Sequence, residues 1–219
     1  MKGIGCTSFL RSEGSLDIMD RRFILGISGN IGAGKTTVVE ILARHLGWEF
    51  YKEPAEKNPY LKPYYEDPSR WGLHSQVYFL TSRFEEERRL SNLNKSYILD
   101  RTIYEDGEIF ARIALKGDEY KTYLKLYRLA IDYLPGPDLI IYLKAPIDVL
   151  IDRIKKRGRE EESRISYQYL STLDSLYENW IRTFKRVPVV IYNIERDINE
   201  KAEFIRLLNF IEESLKNRL

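Results

Sequence analysis

The eight residues Gly29-Asn30-Ile31-Gly32-Ala33-Gly34-Lys35-Thr36 constrain this chain more than any other stretch. They fit the pattern G-x-x-x-x-G-K-S/T at every fixed position. The spacing has a chemical reason. Glycines let the backbone curl so that successive N–H groups face phosphate oxygens, and the N-terminus of a following helix adds partial positive charge. Lys35 would reach the β- and γ-phosphates of a nucleoside triphosphate, and Thr36 would ligate its Mg²⁺. Thr37 is counted with the same nucleotide-binding stretch. The pattern carries meaning only between a strand and a helix, and both are expected here. Phe23 to Ser28 is a short apolar run, and the segment after Lys35 places Val38, Val39, Ile41, Leu42 and Leu46 at helical spacing.

Four more apolar runs read as strands, at 48–51, 97–100, 139–143 and 189–192. Helical patterns fall between them. A long one opens at Pro68, two follow near 105–116 and 119–133, and one begins with Pro146 just inside it and reaches Arg157. Further helices are expected to about Arg186 and over 199–215, while 58–67 reads as a loop or short helix. Strands alternating with helices imply a parallel sheet covered on both faces. The expected fold is α/β, a P-loop NTPase-type three-layer sandwich with a five-stranded parallel sheet flanked by helices. A chain of 219 residues fits one such domain. Residues 1–22 read as a flexible tail and 23–219 as the domain.

The formal net charge is +2, which gives no electrostatic footing to a nucleic-acid or membrane partner. Cys6 is the one cysteine, so a disulfide framework within the chain and a Cys-rich metal site are excluded. A reducing, cytoplasmic setting is expected. Glu13, Asp17 and Asp20 make the first stretch a poor secretory signal, and an organellar targeting role for it stays open.

The phosphate loop alone does not choose a reaction. Asn94-Lys95-Ser96-Tyr97 lacks the aspartate of the guanine-recognition motif, and no Asp-x-x-Gly switch motif occurs. The chain is short for a motor ATPase. A small-molecule kinase leads. On the acceptor side, Glu53 precedes Pro54 and should lie at a strand's carboxyl end, where ligands bind in such sheets. There its carboxylate could take a hydroxyl proton. Asp100-Arg101 closes the next strand. Asp100 could assist Mg²⁺ through water, while Arg101 could orient Glu53 and offset phosphoryl charge. Arg153, Arg157, Arg159 and Arg164 cluster around Gly158 and suggest a basic lid over about 153–165.

Together these residues resemble the deoxynucleoside kinase family, from about Phe23 to the last helix. The resemblance rests on the phosphate loop, Glu53-Pro54, Tyr65-Glu66-x-Pro68-x-Arg70-Trp71, Gln76 with Arg83, Asp100-Arg101-Thr102, Asp106, and Arg153-x-x-x-Arg157-Gly158-Arg159. It implies ATP as donor, Mg²⁺, and a deoxynucleoside acceptor whose 5′-hydroxyl meets Glu53 with Arg101 in support. It implies that Gln76 contacts the base edge, that Arg83 and Asp106 pair at the far end of the base pocket, and that Tyr65 and Glu162 hold the 3′-hydroxyl. Leu61 matches an apolar lining position, and Phe110 and Trp71 look like pocket or wall aromatics. Ser75 stands where a stacking aromatic is frequent, and Gly107 where a bulkier residue would leave less room. The segment 100–106 is most similar to purine-preferring bacterial members. A homodimer is implied, with faces expected around 78–84 and 105–115. The rivals are a nucleoside monophosphate kinase of thymidylate-kinase type and a nucleotide-binding switch.

Overall fold

The apolar runs assemble into one sheet in the computed structural model, which describes residues 22–194, 198 and 200–216. The strands are β1 (Ile24–Gly29), β2 (Glu49–Tyr51), β3 (Tyr97–Asp100), β4 (Leu139–Lys144) and β5 (Val189–Asn193). Their order is β2-β3-β1-β4-β5, and every pairing is parallel. β1, β3 and all of β4 but its last residue are buried, as strands covered on both faces must be. The pairing of β1 runs out at Asp100 and Leu143, so the loop after Gly29, Glu53 and Asp100-Arg101 all lie at or beyond the carboxyl ends.

The helices are α1 (Lys35–Leu46), α2 (Leu61–Glu66), α3 (Pro68–Ser91), α4 (Ile103–Glu105), α5 (Ala111–Ala114), α6 (Gly117–Tyr133), α7 (Ile147–Arg157), α8 (Tyr167–Thr183) and α9 (Lys201–Lys216). Asp67 caps α3 by accepting from the Arg70 N–H, with Pro68 in its first turn. Gly158 ends α7 in the left-handed region at φ 65°. One core cluster lies under α1, α7 and α9, a second under α3, α6 and α8, and a small third one joins Ile24, Tyr51, Leu90, Tyr97 and Leu99. No described helix is long and apolar enough to cross a membrane.

Several expectations need correction. Pro146 caps α7 from outside rather than standing within it. The segment 105–116 is not one regular helix. A π-helical stretch, Asp106–Phe110, separates α4 from α5. It widens the turn where Asp106 and Phe110 enter the site, a usual place for such a bulge. Gly107 leaves no room either, because a Cβ there would sit 2.5 Å from the Tyr127 ring. Residues 1–21 of the expected tail lie outside the described residues. Arg22 is already anchored, donating to the Ser91 carbonyl at 2.6 Å.

Candidate active site

The turn after β1 is built by glycines. Gly32 and Gly34 hold φ of 84° and 88°, and a Cβ on Gly32 would strike the Leu150 carbonyl at 2.7 Å. Asn30 pins the loop, donating from Nδ2 to the Leu170 carbonyl at 3.0 Å and accepting from the Ile31 N–H at 2.8 Å. Ala33 is fully buried beneath it, and Arg153 Nη1 lies 3.5 Å from the Ala33 carbonyl. Lys35 Nζ donates to the carbonyls of Gly29 and Asn30, both at 2.9 Å. Burial, then the Arg101 charge, lowers its pKa to about 8. An ammonium in that condition is poised to meet phosphate.

Glu53 follows β2 by two residues, where Pro54 prevents the strand from continuing. Arg83 Nη2 donates to its Oε1 at 3.0 Å, and Arg101 Nε forms an ion pair with the same oxygen at 2.9 Å. Burial alone would push the Glu53 carboxyl up. The Arg101 and Arg83 guanidiniums more than offset that and hold it below the ordinary range. Arg101 itself sits at φ 72°, a strained conformation for a non-glycine residue. Phe110 packs against its guanidinium at 4.2 Å.

Asp100 accepts from Thr36 Oγ1 at 2.6 Å, so the two residues expected at the metal meet directly. The other carboxylate oxygen, Oδ1, is buried without a hydrogen-bond partner. An orphaned anionic oxygen beside a Thr hydroxyl suits a hydrated cation.

These groups face one cleft of about 250 Å³, lined among others by Thr37, Leu61, Tyr65, Gln76, Phe110 and Glu162. Gln76 is buried, and its Oε1 has no partner. Asp106 also lines the cleft, and burial, against the pull of Arg83, raises its pKa to about 6. Arg83 does not line it. It is wholly buried behind Asp106, donating to Asp106 Oδ2 from Nε at 2.9 Å and to the Arg101 carbonyl at 2.8 Å. Arg83 and Asp106 form the expected pair, and Arg83 also reaches on to Glu53. Trp71 is not a lining residue. It stacks on Tyr60 at 6.0 Å and touches His74 on the outside of α3.

In the short turn Glu160–Glu162, Glu162 is buried and lines the cleft while Glu160 is exposed. Arg157 and Arg159 both pair with Glu162, and Arg159 Nη2 also reaches Glu56 at 2.6 Å. Lys62 pairs with Glu160. The basic segment is thus tied across the cleft by its own acids. Arg164 turns instead to Glu66, at 3.8 Å. Reading the residues missed Tyr64, Phe79 and Tyr169, which line the cleft, and Tyr177 and Glu105 beneath it. Tyr177 was findable. Leu170, Leu173, Tyr177 and Trp180 share one face of a helical pattern, and a buried tyrosine needs a partner for its hydroxyl.

A phosphate loop, a carboxylate clamped by two arginines and a cleft lined by amide and carboxylate groups suit transfer of a phosphoryl group to a small hydroxylic acceptor. Known proteins similar to this one agree. The chain is 39% identical over 179 residues to a deoxyadenosine/deoxycytidine kinase of Bacillus subtilis, covering 78% of this chain and 82% of that one. It is 34% identical to a deoxyguanosine kinase of the same organism, covering 86% and 96%. A solved structure of the M. mycoides deoxyadenosine kinase with bound dATP superposes with a TM-score of 0.76 at 32% identity, covering 87% of this chain and all of that one. Residues 25–216 match the family model for deoxynucleoside kinases, and the chain belongs to that family.

Proposed function

We propose that this enzyme transfers the γ-phosphoryl group of ATP to the 5′-hydroxyl of a purine deoxynucleoside, with deoxyadenosine or deoxyguanosine preferred. The observation that carries this reading is Glu53, a carboxylate kept ionised by Arg83 and Arg101 in the same cleft as Lys35 and Thr36. An acceptor that is already a phosphate would need no such base, and Glu53 would repel it. Glu53 takes the hydroxyl proton, Arg101 supports it, and Lys35 with the loop N–H groups holds the donor phosphates. Thr36 and Asp100 would hold Mg²⁺, which would neutralise charge on the transferring group. Tyr65 and Glu162 face the sugar. Gln76 offers an amide that can make two bonds to an adenine edge, and Asp106 can accept from an exocyclic amino group. Arg153, Arg157 and Arg159 close over the triphosphate.

The test is ADP formation with the four deoxynucleosides and with their monophosphates. Turnover on a purine deoxynucleoside is expected, and turnover on monophosphates alone would sink the reading.

A homodimer goes with it, through a face that joins the expected 78–84 stretch to α6, since Phe84 packs on Tyr133 with ring centroids 5.4 Å apart. Much of 105–115 is buried within the subunit. Three of the exposed large apolar residues share one stripe of α6, where Leu126, Leu129 and Tyr133 are 47%, 70% and 66% exposed. Leu129→Glu should convert a dimer to a monomer in light scattering, and an unchanged mass would reject this face.

A further inference from the structure

Glu87 stands one turn beyond Arg83 on the buried face of α3, and only 1% of it is exposed. A carboxylate so placed needs donors. Its Oε1 has no hydrogen-bond partner among the described residues, and neither have the hydroxyls of nearby Tyr51 and Tyr97. Arg83 is the natural partner at this spacing, yet its donors are taken. A guanidinium carries five N–H groups. Nε donates to Asp106 Oδ2 at 2.9 Å. Nη1 donates to the carbonyls of Arg101 at 2.8 Å and Asp100 at 3.3 Å. Nη2 donates to Glu53 Oε1 at 3.0 Å and Asp106 Oδ1 at 3.4 Å. Each of the five donors has its own acceptor, and none is left for Glu87.

The neutral acid fits this place and the anion does not. The titratable and charged groups around Glu87 are Arg83 on its own helix, Tyr51 on β2, Tyr97 on β3, Tyr104 on α4 and Asp106 on the π-helical turn. Arg22 lies 5.9 Å from the Tyr97 ring. Burial pushes the three tyrosines up and keeps them neutral. Burial likewise pushes Glu87 up to about 8, against the pull of Arg83 and with a push from Asp106. Loss of its proton leaves a buried anion beside a cation whose donors are all engaged. Any N–H that turns to Glu87 is one withdrawn from Glu53, Asp106 or the two carbonyls.

We propose that Glu87 is a positioning residue that works as a neutral acid. While it keeps its proton, Arg83 stays undivided between Glu53 and Asp106; when it loses the proton, it draws the guanidinium off them and loosens the nucleoside side of the cleft. The inference rests on the roles given above to Glu53 and Asp106.

The experiment measures the dissociation constant of the best deoxynucleoside substrate as pH rises from about 7 to about 9, either side of the value for Glu87. No donor is present, so phosphate binding by Lys35 does not enter. In the unaltered enzyme the constant should rise about 3–10-fold, the scale of one weakened hydrogen bond. Glu87→Gln keeps the shape and cannot ionise, and it should abolish that rise. The difference between the two curves removes any titration of the nucleoside itself. A merely structural Glu87 would shift affinity equally at every pH. Infrared spectra of enzyme made with isotope-labelled glutamate supply the second reading. The carbonyl band of a protonated glutamate should be present near neutral pH and vanish as pH passes about 8. A flat curve in the unaltered enzyme, or a rise that persists in the variant, overturns the proposal. So does the absence of the band near neutral pH. If Glu87→Gln fails to fold, the band in the unaltered enzyme decides, since its loss must run in step with the loss of affinity. The nucleoside that wins in the ADP assay bears on the proposed function alone, while the pH difference and the band judge Glu87.

Discussion

Arg83 donates from Nη2 to Glu53 Oε1 at 3.0 Å while its Nε holds Asp106 at 2.9 Å. One buried guanidinium thus joins two carboxylates of the cleft, Glu53 after β2 and Asp106 on the π-helical turn. Arg101 adds a second cation to Glu53. The outcome is a carboxylate held below its ordinary 4.5, chiefly by Arg101 against the opposing effect of burial. Such a group is a weak base, but phosphoryl transfer asks little of its base beyond position and constant ionisation. Glu53→Gln keeps the size and hydrogen-bonding reach while removing the charge. It should lower kcat about 10²–10⁴-fold, with the nucleoside dissociation constant changed only a few-fold. Steady-state rates beside equilibrium titrations check this.

Asp106 behaves oppositely, and that separates the two carboxylates by pH. Burial raises Asp106 to about 6 despite Arg83. Its folded pKa lies above the ordinary 3.8, so the folded protein binds the extra proton more readily. Between those values stability from this group falls as pH rises. Recognition of a base amino group needs the ionised form. KM for a purine deoxynucleoside should therefore rise as pH drops through about 6. Asp106→Asn should raise KM about tenfold at pH 7, the scale of one charged hydrogen bond, and flatten that limb. A limb near pH 6 that persists in the variant belongs to another group.

Lys35 gives a third pH signature. Burial lowers its pKa to about 8 when its partners are loop carbonyls. Triphosphate binding brings anionic oxygens to the remaining donor of the ammonium and should raise it again. Near pH 8 about half the lysines are then neutral before binding and charged after it. Titration calorimetry in buffers of different ionisation enthalpy should find uptake of about half a proton per donor at that pH. Donor affinity should fall as pH rises above it. Uptake that is zero across pH 7–9 would falsify this account of the lysine.

Features governed by short-range pattern were legible in the sequence. The phosphate loop declares itself by spacing, Glu53 by the proline that stops its strand, and Asp100-Arg101 by the end of an apolar run. The parallel sheet followed from alternation alone. What escaped depends on contacts between distant parts of the chain. Tyr177 reaches across 148 residues to the Gly29 carbonyl. The helical period allows several faces for Arg83, and only packing against β3 and the π-helical turn aims it at both Glu53 and Asp106. Trp71 shows the converse. Its neighbours matched a binding motif, yet the helix turns it outward onto Tyr60. The π-helical turn has no periodic signature long enough to be seen in advance.

That turn supports a last prediction, in which two effects compete at Gly107. In an ordinary helix interior, Gly→Ala gains about 1 kcal/mol. Here the new Cβ would meet the Tyr127 ring at 2.5 Å, and that ring is itself buried on α6 against the same core. Overpacking of this kind costs about 1–3 kcal/mol and should win. Gly107→Ala should therefore lower the melting temperature by a few degrees, since about 1 kcal/mol shifts a domain of this size by roughly 2–4 °C. The displaced turn carries Asp106 and Phe110, so nucleoside KM should rise in parallel while donor KM changes less. Adding Tyr127→Leu removes the ring that obstructs the methyl group. The double variant should then be more stable than the sum of the single changes implies, an interaction of about 0.5–3 kcal/mol. Strict additivity would place the fault in the backbone of the turn and not in its contact with Tyr127.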